Sequence, residues 1–102
     1  MTIDDPKLVS AAIVAWTGKG VSSHPRRDER RVIAALGEKR ASAVLPVVFE
    51  LEREFYESDA RHTTADLAMM GDVAAERFRR AHPELSDEAL AALTWCYTFD
   101  HK

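Results

Sequence analysis

Apolar residues recur three and four apart along most of this chain, and turn residues fall between the runs. That spacing places them on one face of an element repeating every 3.6 residues. Leu8, Val9, Ala12, Ile13 and Trp16 make the first such face. Asp5 stands before it as a cap, with Pro6 at the first helical position, where a missing N–H costs nothing. Gly18 and Gly20 close it, so the pattern predicts a helix over 6–17.

The next apolar set is Val32, Ile33 and Leu36 with Ala34 and Ala35, stopped by Gly37. Starting it at Pro25 predicts a helix over 25–36 whose first half, Arg26 to Arg31, is charged on all sides. Residues 39–57 give the longest pattern: Ala41, Val44, Leu45, Val48, Leu51 and Phe55. Pro46 lies inside it. Either the helix starts near Ser42, or it starts earlier and bends at Pro46 at a cost of about 3 kcal/mol. The early start with a bend fits the stripe better. Val47-Val48-Phe49 is β-prone, but no alternation continues it.

A fourth helix is predicted over 64–81. Thr63, Thr64 and Asp66 stand at its start, and Leu67, Met70, Ala74 and Phe78 form the stripe, widened by Met69 and Val73. Arg77, Arg79 and Arg80 suit its C-terminal end, and His82-Pro83 ends it. Ser86-Asp87-Glu88 opens a fifth over 87–99. There Leu90, Leu93, Thr94 and Tyr97 share a face, Trp95 and Phe99 add a second apolar side, and packing is expected to reach the terminus. The expected fold class is all-α: one domain over residues 1–102, a bundle of about five helices with connections of two to eight residues.

Composition narrows this further. Hydrophobic residues make 46% of the 102, which is ordinary for a folded domain and too many for a disordered one. Asn and Gln are absent, which removes favoured hairpin-turn residues. No apolar run nears the ~20 residues of a bilayer span, so no membrane role is expected. The single cysteine, Cys96, excludes an internal disulfide. With acids where a secretory leader would carry bases, this points to the cytoplasm.

Catalytic and metal chemistry find little footing. His24, His62, His82 and His101 form no i, i+4 pair, and there is no Cys-x-x-Cys. Glu50, Glu54 and Glu57 share a helical face, followed by Asp66, Asp72 and Glu76, but no Glu-x-x-His accompanies them. Cys96 lies between Trp95 and Tyr97, the setting of a buried structural thiol. Gly18-Lys19-Gly20 lacks the spacing of a phosphate loop. No metal, no cofactor and no enzymatic activity are expected.

Charge is more informative than its total of −3. Residues 1–40 carry eight bases and five acids, a sum of +3, whereas residues 41–102 carry six bases and twelve acids, a sum of −6. Between 50 and 76, eight acids face only Arg53 and Arg61, again −6. Phe55 and Tyr56 lie within that stretch. Acids beside aromatics suit a protein-binding surface, where rings anchor and carboxylates steer a basic partner. The expected contact residues are Glu50, Glu54, Tyr56, Glu57 and Asp59. In size and charge the chain is similar to small acidic immunity proteins and antitoxins, which neutralise a toxin by covering it. Two other readings compete with a toxin-like protein partner. Arg26, Arg27, Arg30 and Arg31 would serve a helix–turn–helix-like DNA-associated regulator, although Asp28 and Glu29 interrupt them. The Trp95–Phe99 stripe would serve a structural subunit or homodimer.

Overall fold

The computed structural model describes residues 5–57 and 66–101. Among them it contains five helices and no strand: α1 (Pro6–Thr17), α2 (Glu29–Leu36), α3 (Glu38–Tyr56), α4 (Leu67–Ala81) and α5 (Asp87–His101). The all-α architecture expected from periodicity is therefore the architecture found. No helix is long and apolar enough to cross a membrane among the described residues.

Four of the five helices begin where a side chain satisfies an orphan amide; α3, which starts after Gly37, has no side-chain cap. Asp5 accepts from the Leu8 amide, with Pro6 next to it. Ser86 Oγ accepts from the Ala89 amide, and the Ser86 amide in turn donates to the buried Ser10 Oγ of α1 at 3.0 Å. Two starts differ from the sequence expectation. α2 begins at Glu29 rather than 25, because Asp28 is its cap: extended at φ −151°, it accepts from the Arg30 amide. Residues 25–28 instead run alongside the end of α1, with Arg26 N donating to Thr17 O and Asp28 N to Trp16 O. Likewise α4 begins at Leu67 rather than 64, since Asp66 is extended and accepts from Met69 N. The expected hydroxyl caps Thr63 and Thr64 lie outside the described residues. α5 continues two residues past 99, to His101.

Connections also differ from the expected range. Residues 18–28 make a longer link between α1 and α2, and Gly37 alone separates α2 from α3. Gly37 has φ +88°, a region that favours glycine. Its amide closes α2 on Ile33 O, and its carbonyl accepts from Ala41 N to open α3, so one residue turns the chain. α3 starts early and passes through Pro46. Pro46 and Ser42, the residue whose carbonyl loses its partner, are both exposed, so water meets the freed oxygen.

α5 packs on α1, α3 and α4, while α3 packs on all four other helices. The α3 stripe predicted from sequence is buried at every position, from Ala41 to Phe55. Phe55 sits at the centre, with ring centroids 5.2 Å from Phe78 and 5.4 Å from Tyr97. α4 and α5 approach closely at Gly71, where a Cβ would lie 2.6 Å from Thr98 Cγ2. Of the apolar residues expected on the inner faces, Ile33, Ala34 and Ala35 of α2 and Met69 of α4 are exposed, Met69 at 55% and Ile33 at 39%.

Candidate protein-binding surface

The helical phase that buries Leu51 and Phe55 turns Glu50, Glu54 and Glu57 outward on α3. They are less bare than the sequence suggests. Arg53 lies between two of them, bonding Glu50 Oε2 at 2.7 Å and also Glu57 Oε1. That hydrogen bond to Arg53, reinforced by its charge, lowers the Glu50 carboxyl below its usual range. Glu54 Oε2 meets Nε2 of His82 at 2.8 Å. Three carboxylates against one guanidinium leave the ridge with a net charge of −2. His82 itself is buried at the end of α4, against the Phe78 ring, and Glu84 approaches its Nδ1 at 3.7 Å.

The aromatics differ from expectation. Tyr56, expected as an exposed anchor, is half-buried and its hydroxyl is committed. It donates to Asp100 Oδ2 and accepts from Arg27 at 2.8 Å. Burial, then the bond to Asp100, raises the Tyr56 hydroxyl above its ordinary pKa. Phe55 is in the core. The exposed ring of this stretch is Phe49, 45% exposed, edge-on to Trp16 at 5.1 Å. Phe49 is next to Glu50 and one turn before Arg53. Sequence reasoning passed over it as part of a β-prone run. Its position one residue off the buried Val48 stripe was the signal that it faces outward. Asp59 lies outside the described residues.

Among the described residues, one polar group links the two charge halves internally. Arg27 bonds Glu52 Oε1 through Nε, and both Tyr56 Oη and Asp100 Oδ2 through Nη2. Trp16 Nε1 donates to Glu52 Oε2 at 2.8 Å. The long connection is thereby fastened to α3 and α5. Part of the positive-to-negative split seen in sequence is spent on holding the fold together.

Three of the four arginines of the DNA reading are similarly engaged, Arg27 as above. Arg31 donates to Ala15 O and Trp16 O at the end of α1, and Arg30 holds Asp28. Because α2 starts at Glu29, Arg26 and Arg27 lie off the helix. The Trp95–Phe99 stripe is partly covered by the same connection: Lys19 Nζ stands 5.2 Å above the Trp95 ring, and His24 stacks on Phe99 at 6.0 Å. Cys96 is fully buried, and burial pushes its thiol up to about 11. No group of three His, Cys, Asp or Glu residues able to hold a metal occurs among the described residues.

Compared with protein-family models, with curated proteins and with solved structures, the chain matches none.

Proposed function

We propose that this protein is a non-enzymatic protein-binding module, an immunity- or antitoxin-like inhibitor that covers the active surface of a basic partner in the cytoplasm. The observation that carries this reading is that α3 turns Glu50, Glu54 and Glu57 outward and that Phe49, next to Glu50, leaves its ring 45% exposed. Carboxylates on a ridge raise the rate of encounter with a positive surface, and a partly exposed aromatic supplies the apolar anchor that steering alone lacks. A nuclease-type toxin is such a partner, because a protein that binds phosphates must present cations. Arg53 keeps the carboxylates aligned without cancelling them. Tyr56 takes a supporting part here, holding the end of α3 through Asp100 and Arg27. Asp59 continues the acidic run in sequence.

Affinity purification from cells, followed by mass spectrometry, tests this. Wild type and a Glu50→Lys/Glu54→Lys/Glu57→Lys variant are run side by side with Phe49→Ala. A basic protein captured by wild type and lost from both variants is the expected result. Equal capture by all three would remove the ridge as the contact surface. A large neighbouring gene encoding a toxin-like C-terminal domain would identify the partner to purify.

A further inference from the structure

His82 is buried where α4 ends, and one of its ring nitrogens lacks a partner. Its side chain is 3% exposed. The backbone amide donates to Phe78 O, and the imidazole lies 4.8 Å from the Phe78 ring. Nε2 stands 2.8 Å from Glu54 Oε2 of α3. Nδ1 is buried with no hydrogen-bond partner, and Glu84 Oε1 of the α4–α5 connection is 3.7 Å from it. Arg79, one turn back on α4, is taken up by Asp87 of α5 at 2.8 Å. Among the described residues, the ionised groups that meet this imidazole are therefore two carboxylates, one against each nitrogen.

The two protonation states of the ring differ in what they offer these neighbours. A neutral imidazole has one N–H. On Nε2 that hydrogen is donated to Glu54, and the lone pair of Nδ1 is left turned towards a carboxylate. A second proton makes Nδ1 a donor, and Glu84 Oε1 is the acceptor that a small side-chain rotation brings within reach. The same proton makes the Glu54 contact charge-assisted, which roughly doubles the strength of such a bond. The C-terminal end of α4, with its unmatched carbonyls, suits a cation as well. Burial works against the charge, and the two carboxylates work for it. Glu54 is one of the outward carboxylates of α3, whose net charge with Arg53 is −2. A proton on His82 brings that sum to −1, and it acts at Glu54 itself.

We infer that His82 is a proton-operated regulator of the α3 ridge: a proton taken up by its ring neutralises Glu54, draws Glu84 to Nδ1 and weakens the hold of the ridge on a basic partner as pH falls. The effect on a partner rests on the protein-binding reading of the ridge, whereas the coupling of His82 to Glu54 and Glu84 does not. One proton from solvent binds Nδ1, and no other covalent bond forms or breaks. The other described histidines, His24 and His101, pack against Phe99 and Tyr97, so replacing His82 alone isolates its share of the pH response.

Two measurements test the halves separately. The first follows the His82 ring and the side-chain carboxyl carbons of Glu54 and Glu84 by NMR on the protein alone, from about pH 8 to about pH 5, the range in which imidazole titrates. All three should respond with one midpoint, and Glu84→Gln should lower the midpoint of His82. A His82 that gains no proton in that range, or a Glu54 carboxyl that does not respond when it does, overturns the inference. The second measures affinity for a decalysine peptide, standing in for a basic surface, at low ionic strength. Between the same limits wild type should lose about twofold to fivefold more affinity than His82→Gln, the span of one exposed charge pair. His82→Gln keeps an N–H for Glu54 and cannot take up the charge. Should that variant fail to fold, Glu84→Gln serves, and its loss of affinity should set in at lower pH than that of wild type. Equal losses in wild type and variant overturn the regulation and leave the ridge as a contact surface. No binding of the peptide by either protein at the alkaline limit removes the ridge reading, and the regulatory role with it.

Discussion

Gly71→Ala is expected to destabilise this protein, although alanine is the better helix former. Gly71 lies in the interior of α4, where the exchange alone should gain about 1 kcal/mol. The added Cβ would meet Thr98 Cγ2 at 2.6 Å and Thr94 Cγ2 at 3.2 Å. Carbon atoms in good contact sit roughly 3.5–4.0 Å apart, so the first overlap is about 1 Å. Thr98 cannot simply turn away, since its hydroxyl donates to Thr94 O at 3.0 Å and fixes the rotamer. Overpacking of this kind costs ~1–3 kcal/mol. The net effect is a loss of about 1 kcal/mol, or a fall in melting temperature of roughly 4–8 °C for a domain of this size. Thr98→Ser removes the clashing methyl and keeps the hydroxyl. In that background Gly71→Ala should be neutral or stabilising. Urea unfolding followed by circular dichroism on the four proteins gives the coupling directly. A higher urea midpoint for Gly71→Ala in the wild-type background would refute the close approach of α4 and α5.

Core truncations should follow burial. Phe55→Ala, which empties the centre of the ring cluster, should cost ~3–5 kcal/mol, and Leu51→Ala and Phe78→Ala ~2–5 kcal/mol each, losses that threaten a small domain. Melting temperatures within a few degrees of wild type would show these side chains at the surface. Cys96 should resist Ellman's reagent in the native protein at neutral pH and react on unfolding; prompt labelling of folded protein would contradict its burial. Its folded pKa is raised by burial from the usual 9.0 to about 11, so its contribution is complete below pH 9.0 and lost as pH climbs towards 11. Denaturant midpoints measured across that window should fall less steeply for Cys96→Ala than for wild type. Asp28 behaves in the opposite sense: its hydrogen bonds to Arg30 lower its carboxyl from 3.8 to about 2, so the α2 cap acts above pH 3.8 and is lost as pH falls towards 2. Asp28→Ala should flatten the acid limb of the stability profile, and an unchanged limb would show that the cap contributes nothing.

Local features of this fold were legible along the chain, while the orientation of its polar groups was not. The α3 stripe from Ala41 to Phe55, the Asp5-Pro6 start of α1 and the Gly37 break are each decided by residues within one helical turn. The errors at the starts of α2 and α4 were also local. Asp28 and Asp66 cap α2 and α4, whereas Pro25 and residue 64 had marked the expected starts. Of the expected contact residues, Glu50, Glu54 and Glu57 could be placed on one face by spacing alone. Tyr56 could not, because Arg27 and Asp100, its partners, lie 29 and 44 residues away in the chain. The sequence by itself determined that this chain is helical, where its glycines turn it and which stripe of α3 is buried. Only the tertiary structure decided that Arg27 crosses the charge divide to Glu52 and Asp100, that Phe49 is the exposed ring, and that His82 is buried between Glu54 and Glu84. Periodicity reports which side chains share a side of a helix. Which of those sides meets another helix depends on packing between segments far apart in the chain.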